Sequence, residues 1–230
     1  PLCFDHGALG VMHQVCGFPP PSSGAVAMAQ ILGMLNSALP RTASAQPLRH
    51  EPASQPPLAV GARDEAWLHT YAEAARLAYA DRAQYLADPD FVAPPGGDWR
   101  SLIAPAYLNQ RAQLIGPRRM ANAEPGRPGA SPQALAPMPE QTEHGTSHLS
   151  ITDAWGQTLA MTTSIESAFG SHTLVSLGEG GGFLLNNQLT DFSFVPRNEE
   201  GLPVANRVEP GKRPRSSMSP TLVLRRSAPA

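Results

Sequence analysis

The sequence has no apolar run near the ~18 residues that cross a bilayer, and residues 1–20 lack the charged-then-apolar layout of a secretory leader. No membrane segment is therefore expected within this chain. Blocks of about five or more like charges are also missing, and the formal net charge is only −2. A nucleic-acid surface, an acidic tail and a polybasic anchor are all disfavoured, which leaves small molecules as the expected partners. Cysteine is scarce: Cys3 and Cys16 are too few for a disulfide framework and are not spaced as a CxxC zinc site. They are expected to be two structural thiols rather than a bridge. GxSxG and HExxH do not occur, which removes the commonest serine-hydrolase and zinc-protease motifs.

Proline, by contrast, is plentiful at 25 of 230 residues. It follows no collagen period and falls at loops, as in Pro19-Pro20-Pro21, Pro56-Pro57 and Pro94-Pro95. Between these breaks the pattern reads first as helical. Gly10 to Val15 predicts a short strand, and Ser22-Ser23 stand where they could cap a helix from about Ala25 to Ser37, with Met28, Ile31, Leu32 and Leu35 on one face and Pro40 beyond it. Residues 40–60 form a Pro-, Ser- and Ala-rich connection. A longer helix is expected from about Asp64 to Leu86, its apolar stripe including Trp67, Leu68, Tyr71, Ala75, Ala78 and Tyr79, with Asp88-Pro89 stopping it. A weaker helical pattern runs from Pro105 to Ile115.

Residues 116–143 are rich in proline and glycine with little apolar periodicity, which predicts an exposed connection and one boundary. Beyond it β-branched and polar residues alternate in His148 to Asp153 and again in Thr158 to Ile165, around Ala154-Trp155-Gly156. This is a hairpin pattern. Its register follows from the period of two, because a slip of one residue would exchange the faces of one strand. Leu149 opposite Met161 and Ile151 opposite Leu159 make one face apolar. The same register puts Thr146, His148, Ser150, Ala160, Thr162, Ser164 and Glu166 on the other face, with Thr146 across from Ser164. Register alone favours an ordinary exposed polar face.

Thr146 follows the small Gly145 where the connection meets a strand. An N-terminal nucleophile needs that setting: a Thr, Ser or Cys attacks the peptide bond before it, and the freed α-amine then serves as base for its own hydroxyl. Gly-Thr pairs are common, so residue type by itself is a weak signal. Specificity comes from several blocks taken in order. They are His144-Gly145-Thr146-Ser147-His148-Leu149-Ser150, Met161-Thr162-Thr163-Ser164-Ile165-Glu166, Leu184-Leu185-Asn186-Asn187-Gln188, Thr190-Asp191-Phe192-Ser193 and Arg213-Pro214-Arg215-Ser216-Ser217-Met218-Ser219-Pro220-Thr221. With Pro19-Pro20-Pro21-Ser22-Ser23-Gly24, Tyr79-Ala80-Asp81-Arg82 and Asp88-Pro89-Asp90-Phe91 before them, the chain resembles the gamma-glutamyltranspeptidase family over nearly its whole length.

The resemblance implies an α+β fold, the αββα sandwich of N-terminal-nucleophile hydrolases, incomplete at both ends. Residues 1–145 would be the C-terminal part of the large-subunit region, with an exposed linker at about 116–145, and residues 146–230 the N-terminal part of the small-subunit region. Both subunits would come from one precursor by autocleavage between Gly145 and Thr146. Thr146 would be the catalytic nucleophile, forming a γ-glutamyl ester that water, an amino acid or a peptide attacks. Ser164 would hydrogen-bond it from a position where the family usually has Thr. Glu166, Gln188 and Asp191 match positions that hold the donor's α-ammonium, and Ser216 and Ser217 the pair that binds its α-carboxylate. Glutathione and related γ-glutamyl compounds would be donors, no cofactor or metal is implied, and a periplasmic or extracellular location is expected.

Some features depart from the family pattern. The carboxylate-binding arginine corresponds to a region upstream of Pro1 and the oxyanion-hole Gly-Gly segment to one downstream of Ala230. The loop from Phe192 to Arg215 has no Tyr or Trp to serve as an aromatic lid, which implies a more open pocket. Two alternatives stay open: a glutaryl- or cephalosporin-type acylase of the same family, against which Glu166, Gln188 and Asp191 weigh, and an inactive truncated remnant. Gly178-Glu179-Gly180-Gly181-Gly182 reads as a flexible turn rather than a phosphate loop. His144 and His148 lie roughly 13 Å apart on a strand, which disfavours zinc and suits a structural His148.

Overall fold

The computed structural model describes residues 1–8, 11–38, 65–131, 133–142 and 145–226. The expected connection at 40–60, Pro40, Asp64 and the Glu143-His144 pair lie outside them. Strands β1 (Leu2–Ala8) and β2 (Val11–Gly17) lead into helix α1 (Gly24–Ala38), followed by α2 (Glu65–Tyr85) and α3 (Pro105–Ala112). The remaining strands are β3 (Ser147–Thr152), β4 (Thr158–Thr163), β5 (Leu174–Ser176), β6 (Gly182–Leu184) and β7 (Leu222–Arg225). They form a three-stranded sheet in the order β1-β2-β7 and two hairpins, β3-β4 and β5-β6. The described architecture is α+β.

The expected strand at Gly10 to Val15 is real but shifted, and it has a partner that the pattern of residues 2–8 does not announce. In the β1–β2 register Cys3 lies directly across from Cys16, and the two form a disulfide with Cα atoms 4.1 Å apart. The expectation of separate thiols is overturned. Antiparallel pairing brings two residues that are 13 positions apart in sequence to cross-strand contact.

The main core is helical. On α2 the buried positions are Thr70, Glu73, Ala74, Leu77, Ala78, Asp81 and Arg82, a stripe at helical spacing rotated from the expected one. Leu68, Tyr71 and Tyr79 are exposed, whereas Trp67 and Ala75 pack at the edge of the core. Polar groups win the buried face because they are satisfied there. The Asp81 carboxylate accepts from Gln30 Nε2 (2.8 Å), Tyr107 Oη (2.6 Å) and Gly126 N (2.8 Å) and pairs with Arg111 at 3.2 Å. Burial beside Asp81 raises the Tyr107 phenol, which stays a donor. On α1, Ile31 and Leu35 are buried as expected, joined by Val26 and Met34, while Met28 is half-buried. Gly33 lets α3 approach α1: a Cβ there would stand 2.4 Å from Leu108 Cδ1.

The segment after α3 is only partly the exposed connection expected. Met120 N donates to Glu73 and Gly126 N to Asp81, which pins it to α2. Further on, Ala136 and Met138 are buried with Val204, and Ala136 N donates to Pro203 O. Backbone donors in this stretch find protein acceptors, so it can run against the core.

The β3–β4 register is the one expected, with Leu149 facing Met161 and Ile151 facing Leu159. The turn closes on Asp153, whose Oδ1 accepts from the backbone N of Trp155 and Gln157, and Gly156 takes a positive φ of 83°. The apolar face of this hairpin is not buried as a core face in the described residues: Ile151, Leu159 and Met161 remain exposed.

One ion pair ties the segment just after α2 to Arg213, 125 residues further on. Arg213 donates from its backbone N, Nε and Nη2 to the Asp88 carboxylate, at 2.9, 2.9 and 2.6 Å. Those bonds, led by the guanidinium, hold the Asp88 carboxyl down to about 2 despite its burial. The folded pKa is depressed, so the stabilisation is full above the ordinary value near 4 and is lost as pH falls through about 2. The shift corresponds to about 2 kcal/mol. Asp88→Asn is expected to lower the thermal midpoint at neutral pH and to flatten its decline between pH 4 and pH 2. An unchanged acid limb in the variant contradicts the assignment. Similarly, alkylation of the unfolded but unreduced protein is expected to label neither cysteine, and both after reductant is added.

Candidate active site

Strand β3 delivers Thr146 just before its first residue, and β4 runs out into Ser164 and Glu166. Thr146 Oγ1 donates to Ser164 Oγ at 3.2 Å, the juxtaposition the register predicts. Gly145 is exposed and has nothing within 4 Å of where a Cβ would project. The chain bends sharply at Glu166, whose φ of 72° is a left-handed conformation rare for a residue with a Cβ. The bend is held from two sides. Glu166 N donates to Ser164 Oγ at 2.8 Å, and the Glu166 carboxylate accepts from Ser167 Oγ at 2.7 Å and from Asn187 Nδ2.

Asn187 was not among the residues picked from sequence, yet it organises this corner. Its Oδ1 accepts from Ser167 N at 3.0 Å, its Nδ2 also donates to Ser167 Oγ at 2.9 Å, and its backbone N reaches Ile165 O. It ends the segment before a short 3-10 turn, Gln188–Asp191. That turn sets Gln188 and Asp191 side by side, with Gln188 Nε2 donating to Asp191 Oδ2 at 3.2 Å. Gln188 Oε1 is buried and has no hydrogen-bond partner. An uncompensated buried acceptor is costly, and it suits a cationic donor group from a ligand.

The opposite wall is the segment carrying Ser216 and Ser217, laid against the start of α1. Ser22 and Ser216 form a parallel bridge. Ser23 N donates to Ser216 O at 2.8 Å, Ser23 Oγ to the same carbonyl at 2.9 Å, and Ser22 Oγ to Met218 O at 2.6 Å. The expected capping serines are thus spent on cross-chain contacts. Gly24 makes the approach possible, since a Cβ there would lie 2.4 Å from Ser219 Cβ.

Thr146, Ser164, Glu166, Gln188, Asp191, Ser216 and Ser217 all line a single cavity of about 330 Å³, together with His148, Thr162, Met218 and Ser219. These seven residues picked from sequence are therefore brought together, while Gly145, expected on the other side of the cleaved bond, is not part of the cavity lining. His148 is occupied with its neighbours, Nδ1 at 2.8 Å from Thr162 Oγ1 and Nε2 at 3.2 Å from Ser150 Oγ. The cavity offers a hydroxyl pair at Thr146 and Ser164, a cluster of acceptors fit for an ammonium, and a serine pair fit for an anion. Among the described residues no group of three or more His, Cys, Asp or Glu could hold a metal ion, and no helix is long and apolar enough to cross a membrane.

Comparison with known proteins identifies the family. Residues 1–230 match the family model for gamma-glutamyltranspeptidase. The chain is 37% identical over 211 residues to the glutathione hydrolase proenzyme of Pseudomonas aeruginosa, covering 90% of this chain and 32% of that protein. It is 38% identical over 217 residues to the glutathione hydrolase proenzyme of Escherichia coli, covering 93% and 32%. The chain thus spans about a third of the length of the curated relatives it matches. Its backbone superposes on a cephalosporin acylase from Bacillus halodurans with a TM-score of 0.66, covering 97% of this chain and 32% of that one at 21% identity. The shared fold is that of the N-terminal-nucleophile hydrolases. By sequence, this chain belongs to the gamma-glutamyltranspeptidase family.

Proposed function

We propose that the whole protein is a γ-glutamyl hydrolase and transferase that matures by cutting its own chain between Gly145 and Thr146. The observation that carries this reading is the convergence of Thr146, Ser164, Glu166, Gln188, Asp191, Ser216 and Ser217 on one cavity. In maturation Thr146 Oγ adds to the Gly145 carbonyl carbon, and the C–N bond breaks to leave an ester and a free α-amine. Water then hydrolyses the ester, releasing the Gly145 carboxylate. Residues 1–145 become the end of a large subunit and residues 146–230 the start of a small one.

In turnover the Thr146 amine takes the hydroxyl proton as Oγ attacks the donor's γ-carbonyl, and the leaving amine carries that proton away. The resulting γ-glutamyl ester is resolved by water, or by the amine of an amino acid or peptide. Ser164 orients the hydroxyl. Glu166, Asp191 and the buried Gln188 Oε1 receive the donor's α-ammonium, and Ser216 and Ser217 its α-carboxylate. Glutathione is the representative donor, as the names of the relatives suggest. We place the protein in the periplasm or outside the cell; the Cys3–Cys16 disulfide supports an oxidising compartment.

Intact-mass measurement of the whole protein should reveal a fragment beginning at Thr146, and Thr146→Ala should abolish both that fragment and hydrolysis of γ-glutamyl-p-nitroanilide. An uncleaved wild-type chain without activity would favour an inactive remnant. Asp191→Asn should raise KM for the same donor about tenfold or more, the scale of one charge-assisted hydrogen bond. It should leave glutaryl-p-nitroanilide, which has no ammonium, almost unaffected. Preference of the wild type for the glutaryl compound would point instead to an acylase.

A further inference from the structure

Arg82 stands behind the cavity wall, on the last turns of α2, and lines no part of the cavity itself. It is 8% exposed. Its guanidinium reaches across to both halves of the Ser216-Ser217 pair. Nη2 donates to Ser217 Oγ, and Nε donates to Ser23 Oγ at 2.9 Å, which in turn donates to Ser216 O at 2.9 Å. The guanidinium also sits over the Tyr79 ring, 5.3 Å from its centroid, and the Arg82 carbonyl accepts from Arg215 Nη1 at 3.1 Å. The side chain is thus fixed at its base, along its face and at its tip.

From this geometry we infer that Arg82 is a positioning residue for recognition of the donor's carboxylate, acting through the Ser217 hydroxyl. The inference rests on the γ-glutamyl reading above. An N–H directed at Ser217 Oγ turns that hydroxyl's own proton away from Arg82. Ser217 also lines the cavity, where its hydroxyl can donate to a bound anion. The guanidinium adds a fixed positive charge one hydroxyl behind the wall, where low solvent exposure leaves it weakly screened. Its second bond, through Ser23, holds the Ser216 backbone, so one cation sets the spacing of both serines. A lysine has the charge without the fork and can serve only one of these two hydroxyls well.

The test compares two donors in the whole, processed protein. γ-Glutamyl-p-nitroanilide carries both the α-ammonium and the α-carboxylate; 4-aminobutyryl-p-nitroanilide keeps the ammonium and lacks the carboxylate. Arg82→Gln should raise KM for the first about tenfold or more, the scale of one hydrogen bond to a charged group, with kcat changed far less. The second donor should be barely affected, so discrimination between the two collapses. Arg82→Lys should recover part of it. In a Ser217→Ala background, Arg82→Gln should add little, because the two act as one unit. Equal losses on both donors, or additive effects with Ser217→Ala, assign Arg82 a purely structural role and overturn the inference while leaving the γ-glutamyl reading intact. Should Arg82→Gln not fold, full carboxylate discrimination in Arg82→Lys together with its loss in Ser217→Ala overturns it equally. A wild type that hydrolyses neither donor removes the γ-glutamyl reading, and this inference with it.

Discussion

The site depends on the docking of residues 213–219 against α1 and the end of α2. Two kinds of contact hold that segment. The Asp88–Arg213 pair anchors its start, with the carboxylate only 1% exposed and the guanidinium 55% exposed. That asymmetry matters: the arginine pays little desolvation, while the buried carboxylate would be left uncompensated without it, a loss of about 3–5 kcal/mol in comparable pairs. The Ser22–Ser216 bridge and the Ser23 hydrogen bonds fix the middle of the segment. Without this docking the serine wall of the cavity would have no fixed distance from Thr146, and the cavity no defined shape.

The hairpin that carries Thr146 was legible because a strand's period of two couples its buried and polar faces. Once Leu149 faces Met161, Thr146 must lie near Ser164. Helix positions were legible for the same kind of reason, although the buried face of α2 was not. Aromatic residues there suggested one stripe, but Asp81 and Glu73 take the interior because partners from α1, α3 and the following segment satisfy them, and Arg82 because Ser23 and Ser217 do. Such partners are set by tertiary contact, and a single helix does not record them. The same holds for β1, where Asp5, His6 and Gly7 have weak strand preference and the pairing with β2 decides. Cysteine spacing could not predict the disulfide, which is a product of that pairing.

Within the site, resemblance supplied the residue identities and the structure supplied their dependence on one another. Glu166 was nameable from its block; its left-handed backbone and the Asn187 contacts that hold it were not. The adjacent Asn186 and Asn187 offered the one signal, a pair of amides just ahead of Gln188. Arg82 lay in a quoted block, Tyr79-Ala80-Asp81-Arg82, without a role, because its partners Ser23 and Ser217 are 59 and 135 residues away.

The contacts around the cavity also bear on how a chain could survive being cut at its own nucleophile. β2 pairs with β7, Asp88 with Arg213, Ser23 with Ser216, and Ala136 with Val204. Each of these joins a residue before Gly145 to one after Thr146. Hydrolysis of the single peptide bond between them removes covalent continuity but breaks none of these links, so the two pieces would remain one folded body. Gln141, close to Gly145, adds another such link: its Nε2 donates to Thr190 O and Phe192 O, and its Oε1 accepts from Phe194 N. Five residues before Thr146, it ties its own segment to the loop that carries Asp191. None of these contacts needs the Gly145–Thr146 bond, which is what the proposed self-cleavage requires if the cavity used for it is to serve again for turnover.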